Sequence, residues 1–257
     1  MKEQEALGII QEVDEKVPPY IRSTYYMPHQ AVIREDKITS KLRIVYYASS
    51  KMNGPSLNEC LEARETYFAD LFGVMIRFRW HRIGIMADIE KAFLSIGIEE
   101  NDRDALRFLW FTNPLSDDPK IRKMRFPRVC FGVASSMWHL GATIKHHLSK
   151  YKEDEDELVK KIEGSLYVDD FSSGCQTPEE AVVLHEKARK IFLEAGMNLR
   201  KWRSNHDDVN RVMNIQSNDD KAAGVAQLML NPEDTSAVKV LGIPWNTDND
   251  YLEISLR

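Results

Sequence analysis

Two short apolar runs that end in carboxylates constrain this chain more than any other feature. Ile83-Gly84-Ile85-Met86-Ala87 runs into Asp88, and Leu166-Tyr167-Val168 runs into Asp169-Asp170. Runs of this length and make-up read as strands. The stretch Phe171-Ser172-Ser173-Gly174 after the aspartate pair suits a tight hairpin, with Asp169 and Asp170 at its tip. Like charges at the ends of buried strands repel, and burial makes each cost more. Divalent cations relieve that cost. Mg²⁺ takes hard oxygen ligands and is commonly held by a few carboxylates plus substrate phosphates, and two such ions can clamp an in-line displacement at phosphorus. Asp-Asp at a turn is also ordinary turn chemistry, which is the reading for Asp117-Asp118 and Asp219-Asp220.

The surrounding elements set the fold class. Ser56-Leu57-Asn58-Glu59 reads as a capping box opening a helix that runs to about Ile76. Thr177-Pro178-Glu179-Glu180 opens another, with Pro178 at its first position and Gly196 as its stop. A third, over about Ser135 to Tyr151, carries Met137, Leu140, Ile144 and Leu148 at helical spacing. Pro18-Pro19 breaks a first helical segment, and the acidic run Glu153 to Glu157 reads as a solvated loop or a helix start. Met197 to Trp202 looks extended. Strand, helix, strand-turn-strand, helix, strand is the split β-α-β order. It predicts an α+β protein with an antiparallel sheet and helices on one face.

Charge narrows the partners. Lys plus Arg number 35 and Asp plus Glu 40, a net charge of −5, so no global positive field draws the chain to nucleic acid. A polyanion site must use a local basic patch or metal ions. The candidates for such patches are Lys120, Arg122, Lys123, Arg125 and Arg128, then Arg77, Arg79, His81 and Arg82, then Arg200, Lys201 and Arg203. Cys60, Cys130 and Cys175 form no C-x-x-C pair, which argues against a zinc ribbon or a disulfide framework. His29, His139, His146 and His147 lack metal-site spacing. No apolar run reaches the roughly 18 residues of a membrane span, so no membrane partner is expected. The acidic start is unlike a secretory or mitochondrial leader. A reducing, cytoplasmic setting is the expectation.

Six blocks carry a family resemblance: Lys41-Leu42-Arg43-Ile44-Val45, Gly54-Pro55-Ser56-Leu57-Asn58, Ala87-Asp88-Ile89-Glu90-Lys91-Ala92-Phe93, Phe131-Gly132-Val133-Ala134-Ser135-Ser136, Tyr167-Val168-Asp169-Asp170 and Asn198-Leu199-Arg200-Lys201-Trp202. In this order they resemble the reverse transcriptase domain of LTR retrotransposons, most closely the BEL/Pao group. The resemblance implies a right-hand polymerase built of fingers (1–80 and 111–134) and palm (81–110 and 135–257), an RNA-directed DNA polymerase acting on a primed RNA or DNA template with dNTPs. It implies Asp88, Asp169 and Asp170 as catalytic carboxylates holding two Mg²⁺ ions, with Mn²⁺ as a substitute, and a site of action within a virus-like particle. Arg43, with Lys41, would meet the triphosphate through a guanidinium fork. Phe93, five residues after Asp88, would lie beneath the nucleotide sugar and exclude a 2′-hydroxyl. Phe131 and Gly132 would approach the nascent base pair, and Lys201 would stand by the phosphates as a general acid for pyrophosphate. Tyr167, Leu241 and Gly242 would touch the primer or template.

Three positions depart from the family. Tyr47 stands where an aspartate is usual, and Cys130 and Met137 stand where prolines are common. The chain stops soon after Leu241-Gly242, so the thumb, RNase H, protease and integrase are expected elsewhere in a polyprotein, as partners outside this chain. Those features motivate an alternative, a catalytically silent remnant that binds nucleic acid or serves as a scaffold. A metal-dependent nuclease on another carboxylate scaffold is the third reading, and the ordered blocks speak against it.

Overall fold

The computed structural model describes residues 1–14, 16, 24–33, 42–62, 65–113, 116–222 and 238–253; Pro18-Pro19 and Lys41 lie outside them. In chain order the elements are α1 (Lys2–Ala6), β1 (Gln11–Glu12), β2 (His29–Ile33), β3 (Leu42–Tyr46), α2 (Leu57–Cys60), α3 (Leu71–Arg79), β4 (Ile83–Ile89), β5 (Arg107–Phe111) and β6 (Ile121–Arg125). Then come α4 (Ser136–Leu148), α5 (Lys152–Ser165), β7 (Leu166–Tyr167), β8 (Asp170–Cys175), α6 (Pro178–Glu194), β9 (Leu199–Ser204), α7 (Asp207–Ala222), β10 (Lys239–Val240), β11 (Ile243–Asn246) and β12 (Tyr251–Leu252).

The chain forms two compact units, one of Met1–Thr66 with Phe93–Leu140, the other of Tyr67–Ala92 with Gly141–Arg257. The reason lies in packing: α3 lies against β8, which carries 67–80 into the second unit, and β5 pairs with β6, which keeps 107–110 in the first.

The first unit holds the antiparallel sheet β1-β6-β5 and the pair β2-β3. Its core gathers Ile10, Met27, Phe108, Met124 and Phe126. Tyr46 from β3 meets Phe108 and Phe126 edge-on, at 5.0 and 4.9 Å between ring centres. The arginines in and after β6 bind acids and carbonyls of the same unit. Arg122 binds Glu5 at 2.6 Å and Glu12 at 2.7 Å, Arg125 binds Asp104 at 3.0 Å and also Glu100, and Arg128 donates to the carbonyls of Gly8 and Leu94. Arg122, Arg125 and Arg128, proposed as part of a nucleic-acid patch, are thus engaged by groups of their own unit. The sequence shows their clustering but not the acids that fold against them.

The second unit is built on the four-stranded antiparallel sheet β7-β8-β4-β9. Its central strand β4 is almost wholly buried, as its apolar run requires. Helix α6 starts where expected, with the Thr177 hydroxyl accepting from the Glu180 N–H, and gives way at Gly196, whose φ of 71° suits a glycine. Its buried stripe of Ala181, Leu184, Ala188, Ile191 and Phe192 follows helical spacing.

Helices cover both faces of this sheet, not one. On one face Phe171 meets Trp202, which in turn meets His185 of α6. Phe171 and Gly174 are three residues apart on a strand and so face opposite sides. On the Gly174 side, Gly84 and Gly174 pair across β4 and β8 and form a floor for the end of α3. A Cβ at Gly174 would stand 2.8 Å from the Arg77 carbonyl oxygen, and one at Gly84 2.9 Å from the Phe78 ring. The missing side chains are what admit that helix. Phe78 then packs edge-on against Trp245 of β11, within a small cluster completed by Val240.

Two further expectations are corrected. The Ser56 capping box forms, but its helix ends at Cys60, and a separate helix starts at Leu71 under an Asp70 cap. Asp70 accepts from the Gly73 N–H at 2.7 Å, the stronger local signal at that point. Asp219 and Asp220 lie within α7 and not at a turn. Among the described residues no helix is long and apolar enough to cross a membrane.

Phe78 is fully buried under Trp245. Phe78→Ala should lower unfolding stability by about 3–5 kcal/mol in a urea titration; a change within 1 kcal/mol would show that this cluster contributes little.

Candidate active site

Strand register brings the aspartates together. Asp88 is the Cα partner of Asp170 in the β4–β8 ladder and of Arg200 in the β4–β9 ladder. The carbonyl of Asp169 accepts from the Ile89 N–H at 2.7 Å, which pins the hairpin tip beside the end of β4. Tyr167 pairs with Asp170, so Val168 and Asp169 form a two-residue loop. Val168 has a φ of +57°. Positive φ at the first loop residue belongs to turns that glycine normally supplies. A β-branched residue there is strained by about 1–3 kcal/mol. Asp170 itself opens β8 and is not at the tip.

A second irregularity sits opposite. Between the Met86–Arg203 and Asp88–Arg200 pairs the register shifts, so Ala87 faces two residues, Lys201 and Trp202. Lys201 takes a φ of +54° in this bulge. The bulge re-aims Lys201, whose Nζ lies 3.9 Å from Asp88 Oδ1.

The electrostatics follow from crowding. Burial pushes the Asp170 carboxyl up to about 6, reinforced by the charges of Asp169 and Asp88 and partly offset by Lys201. Burial also raises Asp169, its own backbone N–H opposes the rise, Asp88 adds to it and Lys201 opposes it. Such a donor set, all hard oxygen and mutually repelling, fits a divalent cation in kind. Among the described residues no group of three or more His, Cys, Asp or Glu side chains is arranged to hold a metal ion. Asp88 is already engaged: Arg200 Nε donates to its Oδ2 at 3.1 Å, and Arg200 Nη1 donates to Glu90 Oε1 at 3.0 Å. Asn198 Nδ2 holds the other Glu90 oxygen at 3.1 Å.

The remaining candidates divide between the units. Leu241 and Gly242, at φ of 50° and 86°, form the turn between β10 and β11 in the second unit. Arg43, Phe93, Phe131 and Gly132 belong to the first unit. Arg43 is exposed on β3. Phe93 is buried, its ring edge-on to the exposed Phe131 at 4.8 Å. Gly132 has a φ of 90°, and a Cβ on it would lie 2.8 Å from the Tyr46 carbonyl oxygen, so only glycine fits. Of the departures, Cys130 is buried and gives its carbonyl to the Ser136 hydroxyl, while Tyr47 accepts from the Gln30 amide at the surface.

Sequence reasoning assigned no role to Glu90, Asn198 or Asn58, and it placed Arg200 in a basic patch rather than on Asp88 and Glu90. The Asn58 side chain donates to the Gly132 carbonyl at 3.0 Å and accepts from the Ala134 N–H at 2.8 Å, bracing the loop that carries Phe131. Glu90 had one signal available, its position two residues after Asp88, just past the end of β4.

Asp170 ionises at about 3.9 when unfolded and about 6 when folded. The folded state therefore holds the extra proton, and stability must fall as pH rises from about 4 to about 6. Asp170→Asn should raise the metal-free melting temperature above pH 7 and flatten the profile below it. An unchanged slope would mean that Asp170 is not crowded.

No protein-family model matches the chain, and no curated protein matches it. Solved structures do. The prototype foamy virus protease–reverse transcriptase, as a CSH mutant, matches with a TM-score of 0.53 and 18% identity over 77% of this chain and 22% of the viral one. The foamy viral protease–reverse transcriptase in complex with an RNA/DNA hybrid matches with a TM-score of 0.54 and 19% identity, over 78% and 22%. The chain thus spans about a fifth of the length of these neighbours, and it has a reverse transcriptase-like fold.

Proposed function

We propose that this chain is the fingers-and-palm part of an RNA-directed DNA polymerase from a BEL/Pao-type retrotransposon. The observation that carries the reading is the register that sets Asp88 opposite Asp170 with Asp169 pinned alongside. The fold of the neighbours supports it, and one of them is in complex with an RNA/DNA hybrid.

In this reading Asp88 and Asp169, with Asp170 in support, would hold two Mg²⁺ ions. Bound there, such ions would lower the pKa of the primer 3′-hydroxyl and offset charge on the triphosphate and the departing pyrophosphate. The protein's share is position and charge. Arg43 binds triphosphate oxygens. Lys201, re-aimed by its bulge, gives a proton to the pyrophosphate. Phe93 presents an apolar wall to the sugar that offers a 2′-hydroxyl neither room nor a hydrogen bond. Tyr167 and the Leu241-Gly242 turn lie along the primer.

The test is extension of a primed RNA template with dNTPs and Mg²⁺. Asp169→Asn should reduce extension on the order of 10²-fold or more. Binding of the template without extension, in Mg²⁺ and in Mn²⁺, would instead favour a silent nucleic-acid-binding protein; cleavage without synthesis would favour a nuclease. A second assay reads the sugar. Phe93→Val should admit ribonucleotides, narrowing the preference for dNTPs by roughly tenfold or more. An active variant with unchanged discrimination would remove Phe93 from that role.

A further inference from the structure

Arg200 does more than flank the aspartates. It stands directly across from Asp88 in the β4–β9 ladder, and its guanidinium spans two acids, with Nε on Asp88 Oδ2 at 3.1 Å and Nη1 on Glu90 Oε1 at 3.0 Å. Asp88 lies near the end of β4 and Glu90 one residue past it, and the Arg200 guanidinium reaches both. Glu90 is anchored from a second side, since Asn198 holds its Oε2 at 3.1 Å and the Asn198 carbonyl accepts from the Glu90 N–H at 2.8 Å. All three charged side chains are largely covered, at 29% exposure for Arg200, 24% for Asp88 and 20% for Glu90. Lys201, reaching the other Asp88 oxygen at 3.9 Å, is 56% exposed and loosely held by comparison.

We propose that Arg200 is the built-in counter-ion of Asp88, and that Glu90 retains Arg200 when Asp88 turns to a divalent cation, so that Asp88, Arg200 and Glu90 together set how tightly the site takes its metal. The proposal rests on reading Asp88, Asp169 and Asp170 as a cation site. A cation that ligates Asp88 competes with the Nε contact. Released from Asp88 alone, a covered guanidinium would be left uncompensated. The second branch of the fork on Glu90 removes that cost, because the charge stays paired while Asp88 is freed. Arg200 is thus a positioning residue. It holds Asp88 in place before the cation arrives and yields it afterwards.

The experiment is calorimetric titration of Mn²⁺ into the full 257-residue chain and its variants, with metal-free melting as a folding control. The wild type should bind, and Asp169→Asn should not. Arg200→Gln should tighten binding by about fivefold, the worth of one partly exposed ion pair. Glu90→Gln should weaken it by a similar factor of about 5, because Arg200 then stays on Asp88. In the Arg200→Gln background, Glu90→Gln should change nothing. Equal weakening in both backgrounds would mean that Glu90 acts only through its own charge, and weaker binding in a folded Arg200→Gln would mean that Arg200 merely buttresses the fold; either overturns the proposal. Should Arg200→Gln fail to fold, Arg200→Lys keeps a cation without the fork and must also lose the coupling to position 90; retained coupling overturns the proposal. Failure of the wild type to bind Mn²⁺, or binding unchanged in Asp169→Asn, would sink the cation-site reading itself.

Discussion

Repulsion among Asp88, Asp169 and Asp170 is the constraint on which the site depends. A fold optimised for stability alone would separate these groups or give each a hydrogen-bonded cation. Here β4 sits between β8 and β9, so Asp88 is forced opposite Asp170 on one side and Arg200 on the other. Burial then works against the charges, which is why Asp170 ionises only near pH 6. The strand core supplies the rigidity that keeps them there. Ile85 and Phe171 are wholly buried, and Phe171 leans on Trp202.

Two strained residues bracket the same spot. Val168 holds a turn conformation that suits glycine, and Lys201 sits in the left-handed region of a bulge. Each costs free energy, and each fixes a direction: Val168 sets Asp169 over the end of β4, and Lys201 swings its amine toward Asp88. Asn58 plays a comparable part in the first unit, where its amide holds the Gly132 carbonyl and the Ala134 N–H just after Phe131. A reverse transcriptase-like fold thus comes with local geometry stiffened at the points where the proposed chemistry would occur.

What could be read in the sequence follows from what is local. The apolar runs into Asp88 and Asp169-Asp170, the Thr177 cap and the Gly196 stop all rest on neighbours within a few residues, and each appears in the structure. The Ser56 cap was equally legible, but not the early end of its helix, because Asp70 supplies a competing start. Long-range pairing was out of reach. The cations of β6 look like a nucleic-acid patch until Glu5, Glu12, Glu100 and Asp104 fold against them. Helices on both sheet faces depend on Gly84 and Gly174 meeting across two strands that are distant in the chain. The Arg200 fork is of the same kind, since nothing in the sequence near 200 names Asp88 and Glu90 as its partners.

The most direct test of the central claim is anomalous diffraction at the manganese edge from crystals grown with Mn²⁺ and a primed template. The account predicts manganese peaks in contact with the carboxylates of Asp88 and Asp169, with Arg200 moved off Asp88 and still on Glu90. Manganese at other acids alone, or an Asp88–Arg200 pair left intact beside a bound ion, would contradict it.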